Sequence, residues 1–587
     1  MDFLILLSAM TSIFTFVATW FFRPWEYNSR KSSRGMARWR NGLSVRNIKW
    51  DGFVAGRNST SRLHFTMVKI WLSLFSIALY VHLAFAAFGV TTSSGKLVVD
   101  SGAGLVTTIN TANGDITSLQ YNGKELQDST KFTQLSSGLG SATVTSSVAN
   151  NIATITIRTS TITHYYIVKS GVNTLYIGTY ASAEPSVGEL RFIARLSKSA
   201  LPNGPVQSEV NGGSTVEGSD VFMVNGQTRS KFYSSVRFIE DQVHGVTGSG
   251  VGAYVVIPGT GYESSSGGPF FRDIDNQGSA QQEVYFYMNS NHEQTESYRT
   301  GFFGPYALVI TSGSAPSANL DTSFFANLGL QGYVPASGRG TVKGSYSGTL
   351  SGLPVTIGFK NSAAQYWTTG SGGSFTSPLM KPGTYTATLY EGELEAGTAS
   401  VSVSAGGTAS LSLKSSTSRP STIWSIGVAD GTPSGFLNAD KIQTMHPSDT
   451  RMSSWGPVTF TIGNSASQFP MAQFKSVNSP TTIKWTASSS QIGARTLRIR
   501  TTEAFAGGRP SITVNSWSSA LPGTPTAIDS RGVTRGTWRG VNALYDFAIP
   551  SGVLVSGSNT IQINVVSGSS GDAFLSPNFV FDSVELF

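Results

Sequence analysis

From Ala87 onward the chain consists of short runs in which apolar and polar residues alternate at every second position. KLVVDSG, ATITIRTSTI, TLYIGTYAS, YTATLYEG and TIQINVV are examples, rich in β-branched and aromatic residues and set off by Gly, Asn, Ser or Asp. A period of two sends successive side chains to opposite faces of a strand, and turn residues every ~8–12 positions bring the next strand back antiparallel. No segment after residue 87 sustains a long helical period. The expected fold is all-β and built of sandwiches.

Two shifts in texture divide this body. Around GYVPASGRGTVKG, residues 332–344, a large aromatic-rich region (87–333), expected to be a β-sandwich, gives way to a shorter one. Residues 334–413 hold six or seven strand-like runs, the size of an immunoglobulin or fibronectin type III module. KSSTSRPST, residues 414–422, reads as a linker, and residues 423–587 close on the alternating NFVFDSVELF, as jelly-roll carbohydrate-binding modules do. No repeat appears at solenoid or propeller periods.

The leader differs. Residues 67–86, MVKIWLSLFSIALYVHLAFA, run from a lysine through an apolar stretch to a small-x-small site, the order of a secretory signal peptide. Residues 1–66 form a basic and apolar extension. Its apolar run Phe3–Phe22, followed by Arg23, reads either as a membrane anchor or, the favoured reading, as the product of an upstream start with Met67 the true initiator. Either way, the expected mature protein begins near Ala87 and is secreted and extracellular.

Charge and composition then narrow the function. The net charge of +8 suggests nucleic acid, but eleven of the 41 Lys/Arg and three of the 33 Asp/Glu lie in residues 1–86, leaving 30 of each in the other 501. A neutral body gives no reason to expect nucleic acid. The absence of cysteine excludes disulfide scaffolds, thiolate zinc sites and cysteine nucleophiles, and six histidines leave little room for metal clusters.

Three segments concentrate polar groups on one strand face. Arg191 and Arg195 oppose Leu190, Phe192, Ala194 and Leu196; Arg229, Lys231 and Tyr233 alternate; Tyr285, Tyr287 and Asn289 oppose Val284, Phe286 and Met288, with His292 just beyond. Each face alone is what a solvated strand looks like. Converging, they would line a groove for an acidic polysaccharide, with cations for carboxylates and phenols for sugars. A glycoside hydrolase would instead need two carboxyls, for which Glu189, Asp220, Asp241 and Asp273 are candidates, and a non-catalytic wall-binding protein would need neither.

The strings GELRFIARL, EGSDVFMV, TRSKFYSS, YESSSGGPF, YMNSNHEQTESYR and HPSDTRMSSWGP, in this order, closely resemble the fungal rhamnogalacturonan lyases of polysaccharide lyase family 4. The resemblance runs from Ala87 to Phe587 and covers none of residues 1–66. It implies a β-sandwich catalytic domain, a fibronectin type III-like domain and a jelly-roll, carbohydrate-binding-like domain. It also implies β-elimination between rhamnose and galacturonate in the rhamnogalacturonan I backbone of pectin. Position by position, it places the catalytic lysine on Lys231 and the catalytic histidine on His292, with Arg191, Tyr285 and Tyr287 along the cleft. Family members commonly carry disulfides in the first domain, and this chain has none.

That chemistry requires removal of H5 of the uronate, a proton α to a carboxylate, so a cation must neutralise the carboxylate while a base reaches the proton. Arg191 fits the first task and Arg229 is a second cation for the cleft. Lys231 and His292 divide the base and acid roles, and the sequence leaves the division open: lysine must first lose its proton, whereas histidine titrates near neutrality. No cofactor is required. Asp529 and Asp582 are candidates for a structural calcium, though Asp in β-turns is the commoner case, and Trp455, Trp538 and Tyr545 either stack on sugar or fill the core. The expected partner is rhamnogalacturonan I, bound by a monomer.

Overall fold

The computed structural model describes residues 87–587 except 186–187, 291, 293–294 and 527–530. The leader and Asp529 lie outside the described residues. Among these residues there is no α-helix, only short 3-10 turns between strands. The all-β expectation holds.

In the first module a seven-stranded antiparallel sheet, running from Val243–Gly248 at one edge to Thr143–Ala149 at the other, packs against a smaller sheet. The smaller sheet orders Asn276–Gly278, Gln282–Asn289, Leu190–Leu196 and Gln134–Leu135. The alternation read from sequence decides which face does what. Leu190, Phe192, Ala194 and Leu196, with Val284, Phe286 and Met288, sink into the main core, driven by apolar burial. Their neighbours in the register therefore face outward, with Arg191 opposite Tyr287 and Ile193 opposite Tyr285. A three-stranded hairpin sheet, Ser214–Glu217, Val221–Val224 and Gln227–Ser230, leads into the turn Lys231–Ser234, whose Phe232 covers the outward face.

Two sheets of three and four strands make the second module, and two five-stranded sheets the third, each around its own core. Buried ion pairs fasten the modules. Glu263 of the first accepts from Arg339 Nη1 at 2.6 Å and from Tyr366 OH at 2.8 Å, with Lys381 Nζ at 3.0 Å, all from the second. Burial raises the proton affinity of Glu263, but these partners outweigh it and hold the carboxyl below its usual range. Replacing it (Glu263→Gln) leaves buried cations uncompensated and is expected to cost about 3–5 kcal/mol. The loss is read as a lower urea midpoint at neutral pH. A depressed carboxyl stabilises above its unfolded pKa and stops doing so as pH falls through its folded one, so the gap between variant and parent closes in acid.

Candidate active site

The outward face of the small sheet carries the cationic centre. Arg191 Nη1 donates to the Tyr287 hydroxyl at 2.8 Å and pairs with Glu189, and its guanidinium lies 5.5 and 6.0 Å from the Tyr287 and Tyr285 ring centres. Burial opposes the charge, but Tyr287 and Glu189 outweigh it and hold Arg191 above its already high value. Tyr285 and Tyr287 stack with ring centres 5.6 Å apart and are buried with Ile193, Phe232 and Ile274. They form the floor that aims Arg191.

His292 joins this group from the end of the same strand. The turn is closed by Ser290, whose Oγ accepts the His292 N–H at 3.0 Å. Nδ1 faces the two oxygens of buried Asp273 at 3.2 and 3.3 Å, and Nε2 lies 3.7 Å from Glu189. Burial alone would lower the proton affinity of the ring. Asp273, with Glu189, overrides both burial and the opposing charge of Arg535, so His292 titrates above the usual histidine range. The Phe232 ring meets the imidazole edge-on at 4.9 Å.

Lys231 enters beside Phe232. Ser230 ends its strand by capping the turn, its Oγ accepting the Phe232 N–H at 3.1 Å, and the Lys231 N–H donates to the Asp220 carbonyl at 3.1 Å. Among the described residues Lys231 Nζ has no hydrogen-bond partner and no carboxylate within 4 Å. The turn breaks the alternation expected for Arg229, Lys231 and Tyr233. Tyr233 is buried with its hydroxyl 3.2 Å from Thr228 Oγ1, and Arg229 donates to the Thr228 carbonyl at 2.9 Å and to Gln227 at 2.8 Å. No hydrogen bond or ion pair among the described residues joins Arg229 to the Arg191–His292 group.

The third module reaches this site through side chains that sequence reasoning missed. Arg535 lies 5.8 Å from the Phe232 ring centre and pairs with Asp220 at 2.8 Å. Beside it Glu217 binds Arg531 at 3.0 Å and His446 at 3.2 Å, and Asp449 accepts the Thr228 N–H at 2.8 Å. The string HPSDTR gave a hint for His446 and Asp449; nothing in the sequence marked Arg535.

The four carboxyls considered for a hydrolase are all engaged by cations: Glu189 by Arg191, Asp220 by Arg535, Asp273 by His292 and Asp241 by His244. Among the described residues one group has metal-ligand spacing, Asp241, His244 and Asp275. His244 Nδ1 faces Asp241 at 2.7 Å and Nε2 faces the Tyr285 carbonyl at 2.6 Å, both acceptors, so the ring carries two protons and offers no lone pair to a metal. Burial works against that charge, but Asp241 and its neighbours push His244 up to about 9. Asp582 does not suit calcium either: Oδ1 accepts the N–H groups of Asp430 and Gly431, each at 3.0 Å, the role of a turn cap. Trp455 packs edge-on against Phe474 and Phe574, Tyr545 lies in the core, and Trp538 sits 4.5 Å from the Arg539 guanidinium.

Arg191 on its stacked tyrosines, a histidine held above its usual range and a lysine without a partner among the described residues suit charge neutralisation and proton transfer on an acidic sugar, the chemistry of a polysaccharide lyase. Comparison with known proteins agrees. Family profiles match at residues 88–332 (rhamnogalacturonan lyase B, N-terminal), 338–411 (polysaccharide lyase family 4, domain II) and 422–586 (domain III of the same family). Rhamnogalacturonate lyase A of Aspergillus aculeatus is 53% identical over 530 residues, covering 89% of this chain and 100% of that protein. Its namesake from Emericella nidulans is 52% identical over 523 residues, 88% and 98% of the two chains. The chain belongs to polysaccharide lyase family 4.

Proposed function

We propose that the chain is a secreted endolyase that cleaves rhamnose-(1→4)-galacturonate bonds within the rhamnogalacturonan I backbone of pectin. The relatives' names support the substrate. The observation that carries the reaction is the pairing of a histidine held protonated by Asp273 with an unpaired lysine one residue from its aromatic neighbour.

In this reading Arg191 neutralises the uronate carboxylate, which raises the acidity of H5. Lys231, as the free amine, takes H5; the C5–H electrons form the C4–C5 double bond and the C4–O bond breaks. His292 delivers a proton to the departing rhamnosyl oxygen, and Asp273 stabilises the imidazolium before transfer. The products are a reducing-end rhamnose and a 4,5-unsaturated galacturonate, and every step draws on side chains alone.

Incubation with de-esterified rhamnogalacturonan I should raise absorbance near ~235 nm, as expected for elimination to a conjugated uronate, while oligomer masses fall rapidly from long to short. Hydrolysis would shorten chains without that absorbance, and a binding protein would do neither. The signal-like segment 67–86 is the basis for expecting export, and protein recovered from culture medium should begin near Ala87.

A further inference from the structure

Arg272 touches the turn that carries Lys231 and the third module at once. It is 6% exposed, and no carboxylate lies within 4 Å among the described residues. Its guanidinium instead reaches four neutral oxygens. Nε donates to Ser235 Oγ at 3.0 Å, Nη2 to the Ser235 and Phe232 carbonyls at 2.7 and 3.1 Å, and Nη1 to the Gly536 carbonyl at 2.8 Å. Asp275, Glu393 and Asp273 favour its charge from beyond ion-pair distance, while its hydrogen bonds go to the hydroxyl and carbonyl oxygens of the turns themselves.

We infer that Arg272 is a positioning residue, fixing the turn that carries Lys231 and, through the same planar fork, the third-module turn that carries Arg535. The inference rests on the lyase reading above. Phe232 and Ser235 belong to the Lys231–Ser234 turn and its cap, and Gly536 caps the turn that ends at Arg535. The next residue, Asp273, holds His292. One guanidinium therefore ties base, acid and third module into a single register, and makes the third module part of the catalytic apparatus. Burial, with the charge of Arg539, pushes Arg272 down to about 9, so it remains charged at neutral pH. Five fixed donors suit several carbonyls at once, which a lysine ammonium cannot reproduce.

The test uses the full chain and the unsaturated-product assay. Arg272→Ala should lower kcat by about 100-fold, the scale of a misplaced catalytic group, with KM within about threefold because Arg191 is untouched. Millimolar guanidinium should restore kcat by about tenfold while ammonium does not, and Arg272→Lys should remain poor. A kcat within about twofold of the parent, or a loss that merely follows the folded fraction and ignores guanidinium, would overturn the inference. Should Arg272→Ala fail to fold, Ser235→Ala removes the acceptor for Nε together with the hydrogen bond that Ser235 Oγ donates to the Phe232 carbonyl. It should lower kcat several-fold at unchanged melting temperature, and unchanged kcat would overturn the inference. A parent chain that makes no unsaturated product would count against the lyase reading instead.

Discussion

Lys231→Ala is expected to lower kcat by about 10²–10⁴-fold, the span attributed to a positioned general base, while KM stays within about threefold. In the proposed mechanism Arg191 reads the substrate carboxylate, and it makes no hydrogen bond or ion pair with Lys231, so binding should survive. The informative companion is Lys231→Arg. It keeps the positive charge but cannot give up a proton near neutrality, because a guanidinium titrates above pH ~12. If Lys231 serves only as a cation, Lys231→Arg should retain most activity; if it is the base, both variants are equally inactive. The surroundings suit a base. Asp220, whose carbonyl holds the Lys231 backbone, has its carboxylate occupied by Arg535 at 2.8 Å, and no other described acid pairs with Nζ. Activity within tenfold of the parent in Lys231→Ala would move the base elsewhere, with His292 the candidate.

How far the sequence reached follows from what kind of contact built each part. The faces of Leu190–Leu196 and Gln282–Asn289 were legible because a period of two, with one face in the core, leaves no freedom for the other. Arg191, Tyr285 and Tyr287 therefore come together as alternation implies. The same logic failed at Arg229, Lys231 and Tyr233, because Ser230 caps a 3-10 turn there and ends the strand. Tyr233 then turns into the core, and Arg229 folds back onto its own strand. Glu189 and Asp273 were visible as carboxyls, but their use as partners of Arg191 and His292 depends on contacts that no local pattern records. Arg535 lies more than 300 residues beyond Lys231, in an irregular Gly-flanked turn, and only the docking of the third module brings it to Phe232.

Docking and charge together set up the sharpest test of the acid–base assignment. His292 should be as indispensable as Lys231, with His292→Ala losing about 10²–10⁴-fold in kcat. The milder change Asp273→Asn keeps the shape of the pocket and removes the charge that holds the imidazolium. Burial and Arg535 then meet only Glu189 as a counterweight, so the pKa of His292 falls. If His292 is the acid, activity needs the protonated ring, and the alkaline limb of kcat/KM moves to lower pH. If His292 is instead the base, activity needs the neutral ring, and the same substitution extends activity toward acid by moving the acidic limb down. The two assignments predict displacement of opposite limbs from one variant. Parent and Asp273→Asn profiles from about pH 4 to 10, with melting curves to confirm folding at each end, separate them. A displaced alkaline limb keeps His292 as the proton donor to the leaving rhamnose, whereas a displaced acidic limb exchanges its role with Lys231.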